Sequence, residues 1–288
     1  DQQKPTCMFV ALGSGKFLYD MALRIAKDYQ LPIYPYVCDD FYTMAPPKTP
    51  LGSLWSKLLR RKTDRLMAKS QKILSICEPL SKTYEELFRK PAVTVMTGTN
   101  FAVAESPRVT ETVDTIRYFG KVSLNRYQSL CTIGKALDRI NREKGTDVKL
   151  EVYCGGMEPE EERALKECEC IRLCGFISGQ AFQEKFFSSP VLVHIEAFDE
   201  ESIDRVRNSV STKIADSLAS GIPLFAYGPA QIASMDHLIR NSCAITARDE
   251  KQLQEQLCCL LEDAQLRKTV AEQALLTAKQ HHEPAAQS

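Results

Sequence analysis

Short apolar runs alternate with segments of helical periodicity along the whole chain. This alternation is typical of a parallel sheet covered by helices, because each buried strand needs a crossover before the next one. The apolar runs predict a first series of strands at residues 6–12, 32–37, 72–77 and 92–96. A second series is predicted at 115–119, 148–154, 171–176, 191–198, 224–227 and 244–246, with helices between the strands, including 124–140, 252–261 and 263–282.

The polar segment 104–114, which contains Pro107, separates the two series. The sequence therefore predicts an α/β protein of two Rossmann-like domains with parallel sheets, one over residues 1–105 and one over 106–288. Four strands are few for a doubly wound domain, so we expect the N-terminal domain to be incomplete. Ligands of such folds bind in the crevice outside the carboxyl ends of the strands, and we expect the site there.

Charge excludes one class of partner. The 288 residues are 44% hydrophobic and carry 37 basic and 37 acidic side chains. This balance argues against nucleic acid, whose phosphate backbone is bound by basic faces. One basic run, at 57–65, lies on a predicted amphipathic helix. It is either a solvated face or a peripheral contact with an anionic membrane surface.

Eleven cysteines are spread along the chain, mostly within apolar strands or helix faces, Cys7 among them. Such cysteines behave as small hydrophobic residues. Cys168, Cys170 and Cys174 form a C-x-C-x3-C group, but no second pair or histidine follows at the spacing of a zinc site. We therefore expect reduced thiols, no metal and no cofactor. The odd number of cysteines favours the cytoplasm, at the inner face of the membrane if the basic run docks there.

The segment 211–229 is the most informative part of the chain. It has the pattern of a capped helix, a glycine stop at Gly221 and a buried strand. Thr212, Lys213 and Asp216 lie around the first turn of that helix, whose free N–H groups favour an anion. A cation beside those N–H groups suits a diphosphate, and a carboxylate one turn later suits sugar hydroxyls. The segment thus predicts a nucleotide-sugar site.

Two further loops follow predicted strands at the same sheet edge. Gly120 permits close approach of the backbone, and Lys121 or Arg126 can pair with phosphate oxygens, although surface cations at a helix start are also common. The backbone groups of Phe176 and Ile177 can face a nucleobase edge. The alternative for Phe176 is simple packing in the core.

Asp39 and Asp40 follow the strand predicted at 32–37, again at a carboxyl end. Asp39 is the candidate general base or hydroxyl ligand. The alternative is that Asp40 caps a turn and Asp39 is solvated. His194 and Glu196 alternate on the strand predicted at 191–198, which indicates one polar face, but a lone histidine there is more often a core residue.

Three blocks, 118–126, 173–177 and 211–223, together resemble the donor-binding half of GT-B glycosyltransferases, particularly those similar to glycosyltransferase family 4. The likeness spans residues 113–282, and the last block is the most specific. Residues 96–100 resemble the end of the last strand of that family's first domain. Residues 31–40 resemble a strand that borders the acceptor.

The resemblance implies transfer of a sugar from a nucleotide-diphosphate donor to a polysaccharide or lipid-linked acceptor, with retention at the anomeric carbon and without a metal. In that family a glutamate is usual where Asp216 stands, and a second glutamate eight residues earlier is replaced here by Asn208. We expect two sets of site residues. The catalytic set is Asp39, Lys121, Arg126 and Lys213, and the donor-binding set is Gly120, Phe176, Ile177, Ser211, Thr212 and Asp216.

Two other functions stay open at this point. Asn208 and the short first domain favour a non-catalytic glycosyltransferase-like subunit that binds a partner or nucleotide without turnover. A sugar-nucleotide epimerase of the same fold needs a set of acid–base side chains that the four histidines and these strand ends do not supply.

Overall fold

The chain folds into two compact units, which a computed structural model describes over residues 4–44 and 49–283. The first unit comprises Asp1–Thr97 and Asp204–Val210, and the second comprises Gly98–Ile203 and Ser211–Ser288. The division falls between Thr97 and Gly98, whereas the sequence predicted it at 105/106. The segment at 204–210 joins the first unit, although it is remote from that unit in sequence.

The first unit is built on a four-stranded parallel sheet in the order β1-β2-β3-β4. Thr49 begins its longest helix by accepting a hydrogen bond from the Gly52 amide, with Pro50 at the first helical position. The strands are β1 (Met8–Leu12), β2 (Ile33–Val37), β3 (Ile73–Ser75) and β4 (Ala92–Thr94), and the helices are α1 (Lys16–Tyr29), α2 (Pro50–Lys69) and α3 (Glu78–Phe88).

The second unit contains a six-stranded parallel sheet in the order β10-β9-β8-β5-β6-β7. The strands are β5 (Thr115–Phe119), β6 (Lys149–Tyr153), β7 (Ile171–Leu173), β8 (Leu192–Ile195), β9 (Leu224–Tyr227) and β10 (Ile245–Ala247). Its helices are α4 (Arg126–Lys144), α5 (Pro159–Lys166), α6 (Gly179–Phe187), α8 (Thr212–Ala219), α9 (Ala233–Arg240), α10 (Glu250–Glu262) and α11 (Ala264–His281). Helix α7 (Glu200–Val206) begins in this unit, and its last three residues belong to the first unit. Strand order reverses between β5 and β8, which are neighbours, so the carboxyl ends of these two strands mark the place where doubly wound folds bind ligands.

Both sheets confirm the predicted α/β class, and every predicted strand is present. Several strands are shorter than predicted. The run predicted at 171–176 ends at Leu173, because Gly175 has a φ of +74° and takes the chain out of the sheet. The basic run at 57–65 lies within α2, as predicted.

The prediction that the cysteines behave as small buried residues is wrong for Cys7 and Cys174, which are exposed. All eleven cysteines are free thiols. No three His, Cys, Asp or Glu side chains among the described residues are grouped so as to hold a metal ion. Within the same part of the chain, none of the helices combines the length and the apolar character needed to cross a bilayer.

Candidate functional site

The candidate site lies at the carboxyl edge of the second sheet. Gly120 follows β5 and Glu196 follows β8. Helix α8 begins at Thr212, so its first turn is the one predicted to bind the diphosphate. Of the ten residues predicted for the site, nine lie in this unit. Asp39 lies in the first unit.

A close contact shapes the turn after β5. The Tyr118 hydroxyl donates a 2.6 Å hydrogen bond to the Lys121 carbonyl, across Gly120. A Cβ on Gly120 would lie 2.7 Å from that hydroxyl oxygen, so any other residue would displace the Tyr118 ring. The bond fixes the backbone that carries Lys121.

The turn then adopts an uncommon backbone conformation. Leu124 and Asn125 have φ values of 57° and 56°, the left-handed region that non-glycine residues rarely occupy. Arg126 follows directly as the first residue of α4. Backbone strain of this kind costs of the order of 1–3 kcal/mol per residue and clusters at functional sites, because the surrounding structure must hold it in place.

Arg126 is paired with a buried carboxylate. Its Nε and Nη2 donate hydrogen bonds of 3.0 and 2.8 Å to one oxygen of Glu196, which is 2% exposed. Ser234 donates to the other carboxylate oxygen at 3.1 Å. Burial opposes the charged form, but His194 and then Arg126 outweigh it and hold the pKa of Glu196 below its usual value. Arg126 therefore enters the site as one half of an ion pair.

Three cations interact at this edge. Much of the Lys213 side chain is exposed, but partial desolvation of its ammonium group lowers its pKa, and the charges of Arg126 and Lys121 lower it further. Lys213 lies in the first turn of α8, and its N-cap, Ser211, makes no side-chain bond to the helix. The N–H groups of that turn are therefore not capped by Ser211. Together these groups form a positively charged site suited to an anion.

Asp216 forms hydrogen bonds with other residues of the second unit. Its carboxylate accepts hydrogen bonds from the Asn100 amide at 2.7 Å, the Asn100 Nδ2 at 3.0 Å and the Thr99 hydroxyl at 3.1 Å. It therefore anchors the residues that follow the first unit's last strand. Of the residues that the structure describes, only Asn100 donates to the Oδ2 atom, which therefore keeps acceptor capacity for a ligand hydroxyl.

Phe176 lies in the loop after β7 and is 74% exposed, so the alternative interpretation, packing in the core, is wrong. Its Cβ faces Gly155, where an added Cβ would lie 3.0 Å away. Ile177 beside it is half-buried. An exposed ring at a strand end can stack on a planar ligand.

The two aspartates after β2 differ in their surroundings. Asp40 is 8% exposed and accepts hydrogen bonds from the Thr43 amide at 3.0 Å, from the Thr43 hydroxyl and from the Tyr84 hydroxyl at 3.2 Å. Asn208 adds a fourth donor, its Nδ2, at 2.8 Å. Asp40 thus caps a turn, as the alternative predicted. Asp39 is exposed, and its carboxylate lies 3.4 Å from the Ser209 hydroxyl.

No protein-family model matches the chain, and no curated protein is similar to it in sequence. Solved structures are similar in fold. TarM of S. aureus superposes with a TM-score of 0.69 at 12% identity over 97% of this chain. HepE of Anabaena, solved with UDP and glucose, gives 0.63 at 12% identity over 96%. Sucrose-phosphate synthase from Thermosynechococcus elongatus gives 0.66 at 12% identity over 98%. The chain has the GT-B glycosyltransferase fold.

The chain spans 53% of the TarM chain, 74% of HepE and 70% of the synthase. At these identities the likeness concerns the GT-B fold alone. Membership of glycosyltransferase family 4, suggested by the three sequence blocks, stays a prediction.

Sequence reasoning missed two side-chain pairings in the second unit. Glu196 was noted on a polar strand face, but nothing in the sequence paired it with Arg126, which lies 70 positions away. The pairing needs β5 beside β8, which is a property of the sheet order. The bond between Asn100 and Asp216 spans 116 positions and likewise has no local signal.

Proposed function

We propose that the chain transfers a hexose from a nucleotide-diphosphate donor to a saccharide or lipid-linked acceptor, with retention and without a metal. The observation that carries the proposal is the grouping of three cations, Lys121 after β5, Arg126 at the start of α4 and Lys213 at the start of α8, near enough that, besides desolvation, the charges of the first two lower the pKa of Lys213. Proteins of the same fold support it. HepE was crystallised with UDP and glucose, and a TarM mutant with UDP and α-GlcNAc-glycerol.

The chemistry follows from charge. When the bond from the sugar to the diphosphate breaks, negative charge develops on the leaving oxygens. Fixed cations beside that position lower the barrier, because their interaction is stronger in the transition state than in the ground state. In this proposal Lys213 and Lys121 stabilise the leaving diphosphate, and Thr212 adds a contact at the start of α8. Arg126, oriented by Glu196, completes the positive edge.

The donor's other parts have candidate partners in the same unit. The exposed Phe176 ring can stack on the base, with Ile177 and Gly120 forming the surface beside it. The free acceptor capacity of Asp216 suits a donor hydroxyl. Retention and independence of metal rest on the family resemblance, whereas Asp39 as a catalytic residue rests on its place after β2, at the carboxyl end of that strand.

Calorimetry tests the donor site directly. We expect the chain to bind UDP, GDP or ADP, and Lys213→Ala to weaken binding of the preferred diphosphate about tenfold, the value of one charge-assisted contact. Lys251→Ala, an exposed lysine on α10, is the matched control and should leave affinity unchanged. A folded chain without affinity for any of the three would contradict the proposal.

Turnover tests the finer parts of the proposal. Transfer should persist in EDTA, and NMR of the product should show the anomeric configuration of the donor. Loss of transfer in EDTA would contradict the proposed metal independence. A product with the inverted anomeric configuration would contradict the proposed retention.

A second candidate is a non-catalytic glycosyltransferase-like subunit. Two observations favour it. Asn208, where the resemblance expects a carboxylate, donates to Asp40, and Asp216 is engaged by Asn100. This candidate predicts diphosphate binding without hydrolysis or transfer over the sugars and acceptors tested. Any transfer above that of Lys213→Ala would exclude it.

Cytoplasmic location and peripheral membrane contact belong to the same proposal. Besides its basic run, α2 exposes Leu51, Leu54 and Leu58, by 82, 56 and 37% of their surfaces. Such a helix suits an anionic bilayer surface. Flotation with phosphatidylglycerol vesicles but not phosphatidylcholine vesicles is expected, and equal recovery with both would exclude a charge-dependent contact.

A further inference from the structure

A cavity of about 230 Å³ opens within the first unit. Its walls come from two stretches, the turn after β2 from Asp40 to Met44 and the segment Asp204–Val210. It is smaller than the roughly 300–1,000 Å³ pockets that hold drug-sized ligands. Its size therefore suits one small polar group, such as a single sugar ring.

The floor of the cavity is a satisfied polar network. Asp40 receives donors from Thr43, Tyr84 and Asn208, so its carboxylate is already hydrogen-bonded. A saturated buried carboxylate holds its neighbours in place. Thr43 and Asn208 are thereby fixed in the wall, and the Ser209 hydroxyl beside them lies 3.4 Å from the Asp39 carboxylate. Their hydroxyl and amide groups can bond to sugar hydroxyls.

The wall contains two carboxylates, Asp40 and Asp204, and two arginines, of which one has no ion pair among the described residues. Arg207 forms an ion pair with Asp204 at 2.5 Å, and Asp40 is stabilised by hydrogen bonds from uncharged donors. Arg205 also lines the cavity and is exposed, and it makes no ion pair with any described residue. The surroundings have the same sign, since the first unit carries 17 basic and 10 acidic side chains.

We propose that this cavity binds a sugar that carries an acidic group, with Arg205 pairing with the carboxylate or phosphate and the wall hydroxyls and amide bonding to the ring. A guanidinium matches either anion through two parallel hydrogen bonds. That the cavity binds acidic sugars is inferred from the cavity alone. That such a sugar is the acceptor rests in addition on the proposed glycosyl transfer.

Ligand-observed NMR with the whole 288-residue chain tests the inference. The probes are glucuronate, glucose 6-phosphate and neutral glucose, which share one ring and differ in the acidic group. We expect at least one acidic sugar to bind about fivefold or more tighter than glucose. Preference for glucuronate or for the phosphate would identify the acidic group. Arg205→Ala should abolish the preference, so that the acidic sugars bind no tighter than glucose.

Two controls keep the result interpretable. Arg142→Ala removes an exposed arginine of α4, paired with Asp138, and should change nothing. Ser209→Ala should weaken the binding of acidic and neutral sugars alike.

A titration of UDP into the same samples separates this inference from the proposed transfer. If UDP binds and the acidic sugars bind no better than glucose, the inference fails and the proposed transfer stands. If acidic sugars bind and UDP does not, the site stands and the proposed transfer fails. Preference that survives in Arg205→Ala also overturns the inference.

Discussion

At the scale of single residues, the fold depends on a few backbone positions that admit one residue type. Gly221 ends α8 with a φ of +75°, and a Cβ there would lie 2.8 Å from the Ser106 carbonyl oxygen. The Gly221 carbonyl also accepts a 2.7 Å hydrogen bond from the Arg108 amide. Two separate properties of glycine are therefore needed at this position. Glycine adopts the positive φ without strain, and it has no Cβ to clash with Ser106.

Gly221→Ala separates these two requirements when compared with Gly145→Ala. Gly145 has a φ of +66° with nothing within 4 Å of an added Cβ, so its substitution costs about 1–2 kcal/mol of left-handed strain. Gly221→Ala should cost more, because the backbone of Ser106 must also move. Urea unfolding of both variants measures the difference. Equal losses would mean that the close approach is not maintained in solution.

Histidine burial predicts a dependence of stability on pH. Burial, together with His282, His281 and Arg240, lowers the pKa of His237 to about 3. In the unfolded chain the pKa of this histidine is about 6.5. Between about pH 3 and pH 6.5, His237 is therefore protonated in the unfolded state and neutral in the folded state. Unfolding free energy should therefore fall as pH drops below about 6.5, by up to about 1.4 kcal/mol per pH unit from this residue.

The check is the slope between pH 6.5 and 5, where most carboxylates keep their charge. His237→Leu should flatten that slope whatever it does to absolute stability. An unchanged slope in the variant would assign the pH dependence to other groups.

At the scale of elements, one buried side chain connects three parts of the second unit. Arg267 on α11 is 0% exposed and donates to the carbonyls of Leu260 and Leu261, at the end of α10. Its Nη2 donates to the carbonyls of Thr110 and Glu111 at 3.0 and 2.8 Å. Four carbonyls thus share one planar donor group, which a lysine cannot reproduce.

Arg267→Lys should lower the unfolding free energy by about 2 kcal/mol, because buried carbonyls lose charged donors. It should also speed amide exchange in the segment 104–114. Arg248→Lys, an exposed arginine next to α10, is the matched control. Similar exchange in both variants would mean that Arg267 does not hold the segment.

The elements also show what sequence can and cannot predict. Apolar runs located every strand, because the strands are rich in apolar residues and such a composition is read locally. The start of α4 at Arg126, two residues after the prediction, depends on the left-handed Leu124 and Asn125, which carry no glycine signal. The bond from Asn208 to Asp40 spans 168 positions, and only the tertiary fold brings the two together.

At the scale of the molecule, zero net charge is the sum of two opposite halves. The first unit carries 17 basic and 10 acidic side chains, and the second carries 20 basic and 27 acidic ones. The balance that argued against a nucleic-acid partner thus conceals a basic unit and an acidic unit. Opposite charges on different molecules attract, and salt screens this attraction over about 10 Å at 0.1 M.

We therefore expect the chain to self-associate at low ionic strength near its isoelectric point of about 7.0. Sedimentation velocity should show larger species in 20 mM salt than in 500 mM salt at pH 7. The difference should shrink at pH 9, where net charge repels the molecules. Association that grows with salt would indicate an apolar contact instead.

The assignment of residues 204–210 to the first unit has a practical consequence for anyone who wishes to express the halves separately. The polypeptide passes from one unit to the other at 97/98, 203/204 and 210/211, so a single truncation cannot yield either half intact. A clone of residues 98–288 would include the segment 204–210 but lack Asp40, to which Asn208 of that segment donates a hydrogen bond. Because the boundary at 203/204 falls inside α7, any dissection divides that helix, even with a short linker from Ile203 to Ser211 and the excised heptapeptide supplied to the other fragment.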